Sequence, residues 1–178
     1  IIIEDDVFGF LAPDTPPPIA ALAPEVTIYL SSLSKSIAAG LRVGFLVAPR
    51  PLVARAEANV RALNYSAPAL MAGLGARWIT DGTADRFAEA QREEAKARQA
   101  LARRLLPQGT VTGHQAAHHL WLTLPEPWRR EEFVPAVRRS GVAVSGAEVF
   151  AVGRANVPHA VRLGLCTPAT REELARAL

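Results

Sequence analysis

Cysteine is nearly absent from this chain of 178 residues: Cys166 alone excludes a disulfide framework and fits a reducing compartment. Lysine is almost as scarce. Only Lys35 and Lys96 occur among 20 basic residues, the rest being arginine, so chemistry that needs a side-chain primary amine has two places to be. No run of about 18 apolar residues exists, which excludes a spanning helix and a membrane partner. The apolar opening meets Glu4, Asp5 and Asp6 at once with no basic segment before it, so no signal peptide is expected, and the protein is expected in the cytoplasm. A stripe of one charge sign is also missing. The arginines are scattered among 17 acids, as where Arg129-Arg130 runs into Glu131-Glu132, which reads as a solvated surface and not as a nucleic-acid face. With 49% hydrophobic residues, 21% charged residues and a net charge of +3, the composition is globular; disordered tails, collagen-like fibres and coiled coils are excluded.

What is present alternates between strands and helices. Ile1 to Glu4 reads as a buried strand ending in carboxylates; opening on such a strand without methionine suggests a piece of a longer protein. A proline-rich loop (Ala12 to Pro18) follows, then strands over Val26 to Ser31 and Arg42 to Ala48 on either side of a polar loop around Lys35. Helices are expected over Leu52 to Leu63 with Pro51 in the first turn, over Ala67 to Thr80 as a buried helix, and from Thr83, as its cap, to about Leu106. Beyond Pro107 come a strand over His118 to Leu124 and an amphipathic helix over Glu131 to Ser140 stopped by Gly141. Strands over Val142 to Ser145 and Ala160 to Leu165 and a Thr170-capped last helix complete the chain. The fold class is α/β, with the lobe boundary expected near residues 95 to 107.

One segment concentrates chemistry. Ser31, Ser32, Ser34, Lys35 and Ser36, followed by Arg42, stand between two apolar strands, a donor set suited to phosphate. Lys35 there is either a phosphate counter-ion or an imine-forming amine; the plain alternative is a serine-rich loop with a solvated lysine. Asp5-Asp6 at the end of a buried strand is expensive unless it meets a cation. Carboxylates at one strand end and a lysine among hydroxyls at another are what a pyridoxal phosphate site requires, because a carboxylate keeps the pyridine nitrogen protonated.

Ile2 to Leu11 (IIEDDVFGFL) and Tyr29 to Pro49 (YLSSLSKSIAAGLRVGFLVAP) resemble the signature of class I/II aminotransferases of fold type I. The closest resemblance is to the aminotransferase-like domain of MocR-type regulators, in which a GntR winged-helix reader is fused upstream. WITDGT (78 to 83), HLWLTLP (119 to 125), GVAV (141 to 144) and VRLG (161 to 164) fit in the same order, so the resemblance covers essentially the whole chain.

The resemblance implies a partial large-domain sheet plus a small α/β C-terminal lobe. Residues 1–100 would be the C-terminal part of the pyridoxal phosphate-binding large domain and residues 101–178 the small domain. It implies Lys35 as Schiff-base lysine and proton shuttle, Asp5 at the pyridinium nitrogen, Ser32, Ser34 and Arg42 at the phosphate, and Arg162 on the substrate α-carboxylate. Phe8 stands where the family usually has a tyrosine that hydrogen-bonds the ring oxygen. The implied partners are an amino acid with a 2-oxo acid, or an amino-acid effector; a second copy in a homodimer; and DNA through an upstream winged helix. The implied reaction is amino-group transfer, with a free-standing aminotransferase as the alternative to a regulator. The family's N-terminal half is not in this sequence, so this stretch alone is expected to be inactive.

Other candidates are weaker. His114, His118 and His119 run into a strand that would set the last two on opposite faces, so no metal is expected. Cys166 reads as passive, Trp121 and Trp128 as small-lobe core and surface, Lys96 as a solvated helix lysine, and Arg171 as lying outside the site.

Overall fold

The computed structural model describes residues 1–153 and 156–178, which divide into two compact units, Ile1–Arg92 and Glu93–Leu178. In the first, β1 (Ile2–Asp5) and β2 (Thr27–Ser32) run parallel, Ile2 opposite Thr27 and Asp5 opposite Leu30. A parallel pair needs a crossover. Here it is the proline-rich loop and one turn of helix, α1 (Ile19–Leu22), whose first amides donate to the Glu4 carboxylate (Ile19 N at 2.8 Å, Ala20 N at 2.9 Å). On the other edge of β2 lies antiparallel β3 (Gly44–Val47), Ser32 opposite Gly44.

Between β2 and β3 the chain makes α2 (Leu33–Ser36) and a 3-10 turn, Ala39–Leu41; after β3 come α3 (Val53–Asn64), α4 (Ala69–Thr80) and α5 (Thr83–Leu105). The core of this unit is small: Leu33, Ile37, Leu41 and Val43 are buried, with Met71, Leu74 and Trp78 of α4 packed on them. Gly75 lets α4 come this close, since a Cβ there would lie 2.5 Å from Leu33 Cδ1.

The second unit is an antiparallel sheet in the order β4 (Val111–Thr112), β5 (His119–Thr123), β7 (Ala160–Gly164), β6 (Ser145–Gly146), with α6 (Arg130–Arg139) and α7 (Arg171–Ala177). One sheet face buries Leu120, Leu122, Val161 and Leu163 against Leu124, Leu165, Ala102 and Leu174. The end of α5 is fastened to this sheet by two buried polar side chains. Gln99 donates to the carbonyls of Ala117 (2.8 Å) and His119 (3.0 Å). Arg98, 6% exposed, donates to the Glu94 carboxylate at 2.6 Å and to the carbonyls of Leu165 (2.8 Å), Pro168 (2.7 Å) and Ala169 (3.3 Å).

The α/β alternation is as read from the sequence, and several local expectations are corrected. β1 is a sheet edge and not a buried strand: Ile1 and Ile3 are 76% and 68% exposed. The loop around Lys35 is a helical turn. The third strand begins at Gly44 and not at Arg42, because Arg42 has left-handed backbone (φ 52°) that leaves the ladder. Along α4 only Gly75 is buried, so it is not a buried helix despite its composition. Asp81, and not Thr83, satisfies the start of α5, accepting from the Thr83 N–H at 3.0 Å; hydrogen bonding with the Thr83 side chain first, and with its N–H second, holds the Asp81 carboxyl below the usual range. The strand expected over 142–145 shrinks to Ser145–Gly146, the chain having turned through Gly141 (φ 84°) just after α6. Thr170 caps α7 as expected, accepting from Glu173 N–H at 3.1 Å.

Candidate active site

Because β1 and β2 are parallel, their carboxyl ends share one edge of the sheet, the place where ligands bind in open α/β sheets. Asp5 is the last residue of β1 and Ser32 the last of β2. Three residues beyond Asp5 stands Phe8, three beyond Ser32 stands Lys35, and the Lys35 Nζ lies 5.7 Å from the centre of the Phe8 ring. Two segments some 27 residues apart in sequence are thereby brought into contact at the strand ends.

The two carboxylates there differ. Asp6 accepts from the Tyr29 hydroxyl at 2.7 Å, and that hydrogen bond, more than desolvation, pushes the Tyr29 phenol up from its ordinary value. Asp5 is exposed, and its one partner among the described residues is the Val7 N–H at 3.3 Å. The expected penalty for a charge at the end of a buried strand therefore does not arise, since water reaches Asp5. What remains is an acceptor whose oxygens are mostly uncommitted, next to the segment that carries Lys35.

Buried and accessible residues alternate through this segment. Leu33, Ile37, Leu41 and Val43 are buried; Ser32 and Ser34, on either side of Leu33, are half-buried, and Lys35 and Arg42 are exposed. Among the described residues neither the Ser32 nor the Ser34 hydroxyl has a hydrogen-bond partner, and Arg42 has no ion pair. Arg42 holds a left-handed conformation that costs about 1–2 kcal/mol for a residue with a side chain. Its neighbours Leu41 and Val43 enforce it from the core, and the Leu33 N–H to Val43 carbonyl bond (3.1 Å) closes the loop.

Arg162 belongs to the second unit. On β7 it lies opposite Trp121 of β5 and Ser145 of β6, on the sheet face away from the leucine core. Its guanidinium carbon sits 4.6 Å from the centre of the Phe150 ring, which meets Trp121 edge-on at 5.4 Å and 83°. Desolvation, with the Arg162 charge second, pushes the imidazole of His119 below its ordinary value. Among the described residues no carboxylate pairs with Arg162.

Of the residues singled out from sequence, the fold brings Phe8 and Lys35 into contact, sets Asp5 and Ser32 on the same edge, and hangs Ser34 and Arg42 on the same small core. Phe150 and Tyr29 were missed. Phe150 is twelve residues from Arg162 and is delivered by a 3-10 turn, so no spacing announces it. Tyr29, in the β-branched and aromatic strand, gave no sign that its hydroxyl reaches back to Asp6. Among the described residues no group of three His, Cys, Asp or Glu side chains could hold a metal. Cys166 is exposed, its thiol raised by desolvation more than Arg98 lowers it. Lys96 pairs with Glu93 at 2.8 Å. Trp121 is half-buried beside Phe150, and Trp128 packs edge-on against Phe133.

A small, partly parallel sheet carrying a carboxylate and a lysine at its strand ends, in a chain that also holds an antiparallel unit, fits the α/β class expected from sequence, and comparison bears out the family and the fold. The chain belongs to the aminotransferase class I and II family, whose model matches residues 1–178. It is 34% identical over 177 residues to YdeF of Bacillus subtilis (strain 168), described as an uncharacterized HTH-type transcriptional regulator; this covers 99% of the chain and 38% of that protein. Among solved structures, an N-succinyldiaminopimelate aminotransferase from Mycobacterium tuberculosis superposes with TM-score 0.82 at 26% identity over 99% of this chain and 48% of that one. An alpha-aminoadipate aminotransferase from Thermus thermophilus, complexed with N-(5'-phosphopyridoxyl)-L-leucine, gives TM-score 0.82 at 24% identity, covering 99% and 48%. The chain thus spans well under half the length of the regulator and just under half of each aminotransferase. No helix among the described residues is long and apolar enough to cross a membrane.

Proposed function

We propose that this chain is the cofactor- and amino-acid-binding part of a pyridoxal phosphate-dependent, MocR-type transcriptional regulator. In this reading residues 1–100 belong to the large cofactor-binding domain and residues 101–178 are the small domain. The observation that carries it is the approach of Lys35 Nζ to the Phe8 ring at the shared carboxyl ends of β1 and β2. The donor set there fits pyridoxal phosphate: an amine for its aldehyde, an uncommitted carboxylate for its ring nitrogen, two unpartnered hydroxyls and an unpaired guanidinium for its phosphate.

Lys35 holds the cofactor covalently and moves the proton at the amino acid's α-carbon. Asp5 keeps the ring nitrogen protonated. Ser32 and Ser34 donate to the phosphate and Arg42 neutralises it. Phe8 packs beside the lysine but, lacking a hydroxyl, donates nothing to the ring oxygen. Arg162 grips the α-carboxylate through its planar fork, which suits a carboxylate better than an ammonium does. Once bound, pyridoxal phosphate supplies the electron sink that acidifies the α-carbon.

The similarity to YdeF over nearly the whole chain favours a regulator, in which an amino-acid effector shifts a conformational equilibrium in a cytoplasmic homodimer and DNA is read by a winged-helix domain elsewhere in a longer protein. The aminotransferase neighbours favour the second reading, an enzyme transferring an amino group between an amino acid and a 2-oxo acid.

The test is borohydride reduction of the full-length protein after incubation with pyridoxal phosphate, with the adduct located by peptide mass mapping. Stoichiometric labelling at Lys35, lost in Lys35→Ala, is expected. Labelling confined to Lys96 or an amino terminus would overturn the reading.

A further inference from the structure

We propose that Phe150 is the positioning residue for Arg162: its ring holds the guanidinium in place on this sheet face, ready for a carboxylate. The proposal rests on the reading of Arg162 as the α-carboxylate ligand, and three features of the structure support it. The guanidinium carbon lies 4.6 Å from the ring centre, well inside cation–π range. The ring is also braced by the edge-on contact with Trp121, the residue directly opposite Arg162 on β5, so β5, β7 and the turn Ala147–Phe150 meet at one place.

The third feature concerns the acid nearest in that turn. Glu148 would neutralise Arg162 if it reached it. Instead it pairs with Arg130 of α6, Oε2 to Nε at 3.1 Å. Arg130, itself largely buried, also donates to the carbonyls of Val157 (3.0 Å) and Pro158 (3.3 Å). One arginine therefore takes the competing carboxylate and ties both ends of the segment that carries Phe150. The outcome is a half-buried arginine whose guanidinium lies over an aromatic ring but has no ion pair among the described residues. A long arginine side chain held in one orientation loses less conformational freedom when a carboxylate binds, so the ring contributes affinity for the carboxylate-bearing ligand without touching it.

The experiment uses the full-length protein loaded with pyridoxal phosphate, as wild type, two aliphatic variants (Phe150→Leu and Phe150→Met) and the ring-retaining Phe150→Tyr. Each is titrated with the standard L-amino acids and with the amines that lack only the carboxylate, and binding is read as the change in the cofactor's absorbance band. Thermal midpoints and the unliganded band confirm that a variant is folded and loaded. For amino acids that bind the wild type, both aliphatic variants are expected to bind roughly threefold to tenfold more weakly. Binding of the amines is expected to be unchanged, and Phe150→Tyr to restore amino-acid binding. Equal weakening for amines and amino acids, or none for either, overturns the positioning role while leaving the proposed site intact. A wild-type protein that carries pyridoxal phosphate at Lys35 yet responds to no amino acid overturns the carboxylate site and this inference with it.

Discussion

Replacing Arg98 by methionine keeps most of the side-chain volume and stem but removes four hydrogen bonds from a guanidinium that is 6% exposed. The carbonyl of Leu165 would be left fully buried without a donor, at about 1–3 kcal/mol. Those of Pro168 and Ala169 are part-buried, so water recovers some of their loss. Against this stands the desolvation that the arginine no longer suffers. The net expectation is a loss of about 3 kcal/mol, a large share of the roughly 5–15 kcal/mol that holds a domain folded.

Glu94 supplies the control, because it also binds Arg171, an exposed residue, at 2.5 Å. Water and salt screen an ion pair whose arginine is this exposed, so Arg171→Met should hardly matter beside Arg98→Met. Urea unfolding followed by Trp121 and Trp128 fluorescence in a Trp78→Phe background reads this unit directly. If Arg98→Met and Arg171→Met lose the same stability, the argument from burial is wrong.

Acid adds a second check on the same carboxylate. The hydrogen bond from Arg171, and secondarily that from Arg98, hold the Glu94 carboxyl below its ordinary value in spite of its desolvation. A folded value below the unfolded one means that Glu94 stabilises at pH values above its unfolded value. That contribution is lost as pH falls through the folded value. The stability gap between wild type and Glu94→Gln should therefore be full near neutral pH and close on acidification; a gap that stays constant down to the acid transition would refute the assignment.

Two further outcomes follow from glycine positions. Gly75→Ala should gain up to about 1 kcal/mol of helix propensity but lose about 1–3 kcal/mol by pressing on Leu33 Cδ1, a net destabilisation visible as a lower thermal midpoint together with weaker borohydride labelling of Lys35. Gly141→Ala meets open space, so only the left-handed backbone at φ 84° is strained, and urea unfolding should show a loss of about 1 kcal/mol with no change in labelling.

The sequence was most legible where local rules act alone. The Thr170 cap, the Gly141 stop and the strand over 160–164 depend on a few neighbouring residues, and the fold honours them. The lysine segment stands out in the sequence because its residue types are unusual together, and the fold sets it beside the carboxyl end of β1. The segment's conformation was not legible: serines suggested a loop, whereas burial of Leu33 and Ile37 winds it into a helical turn. Likewise RVGFLVA reads as one strand, since nothing local reveals that Leu41 and Val43 will both point into the core and force Arg42 between them out of the ladder. Burial of β1 and α4 was misjudged for a related reason, because apolar composition says that a face can be buried and not that a partner lies on it. Phe150 depended on strand pairing between β5 and β7, which spans some 40 residues and leaves no periodic trace.

This pattern bears on what presents Lys35. β2 ends at Ser32, so Lys35 is not held by the sheet; it is held by the buried leucine and isoleucine on either side of it, and these rest on α4. The same four-residue core fixes Arg42. Amine and guanidinium are therefore coupled through packing: a change that loosens this core moves both. The polar groups at the strand ends are replaceable one residue at a time, while the geometry that sets them is vested in the apolar side chains of this core.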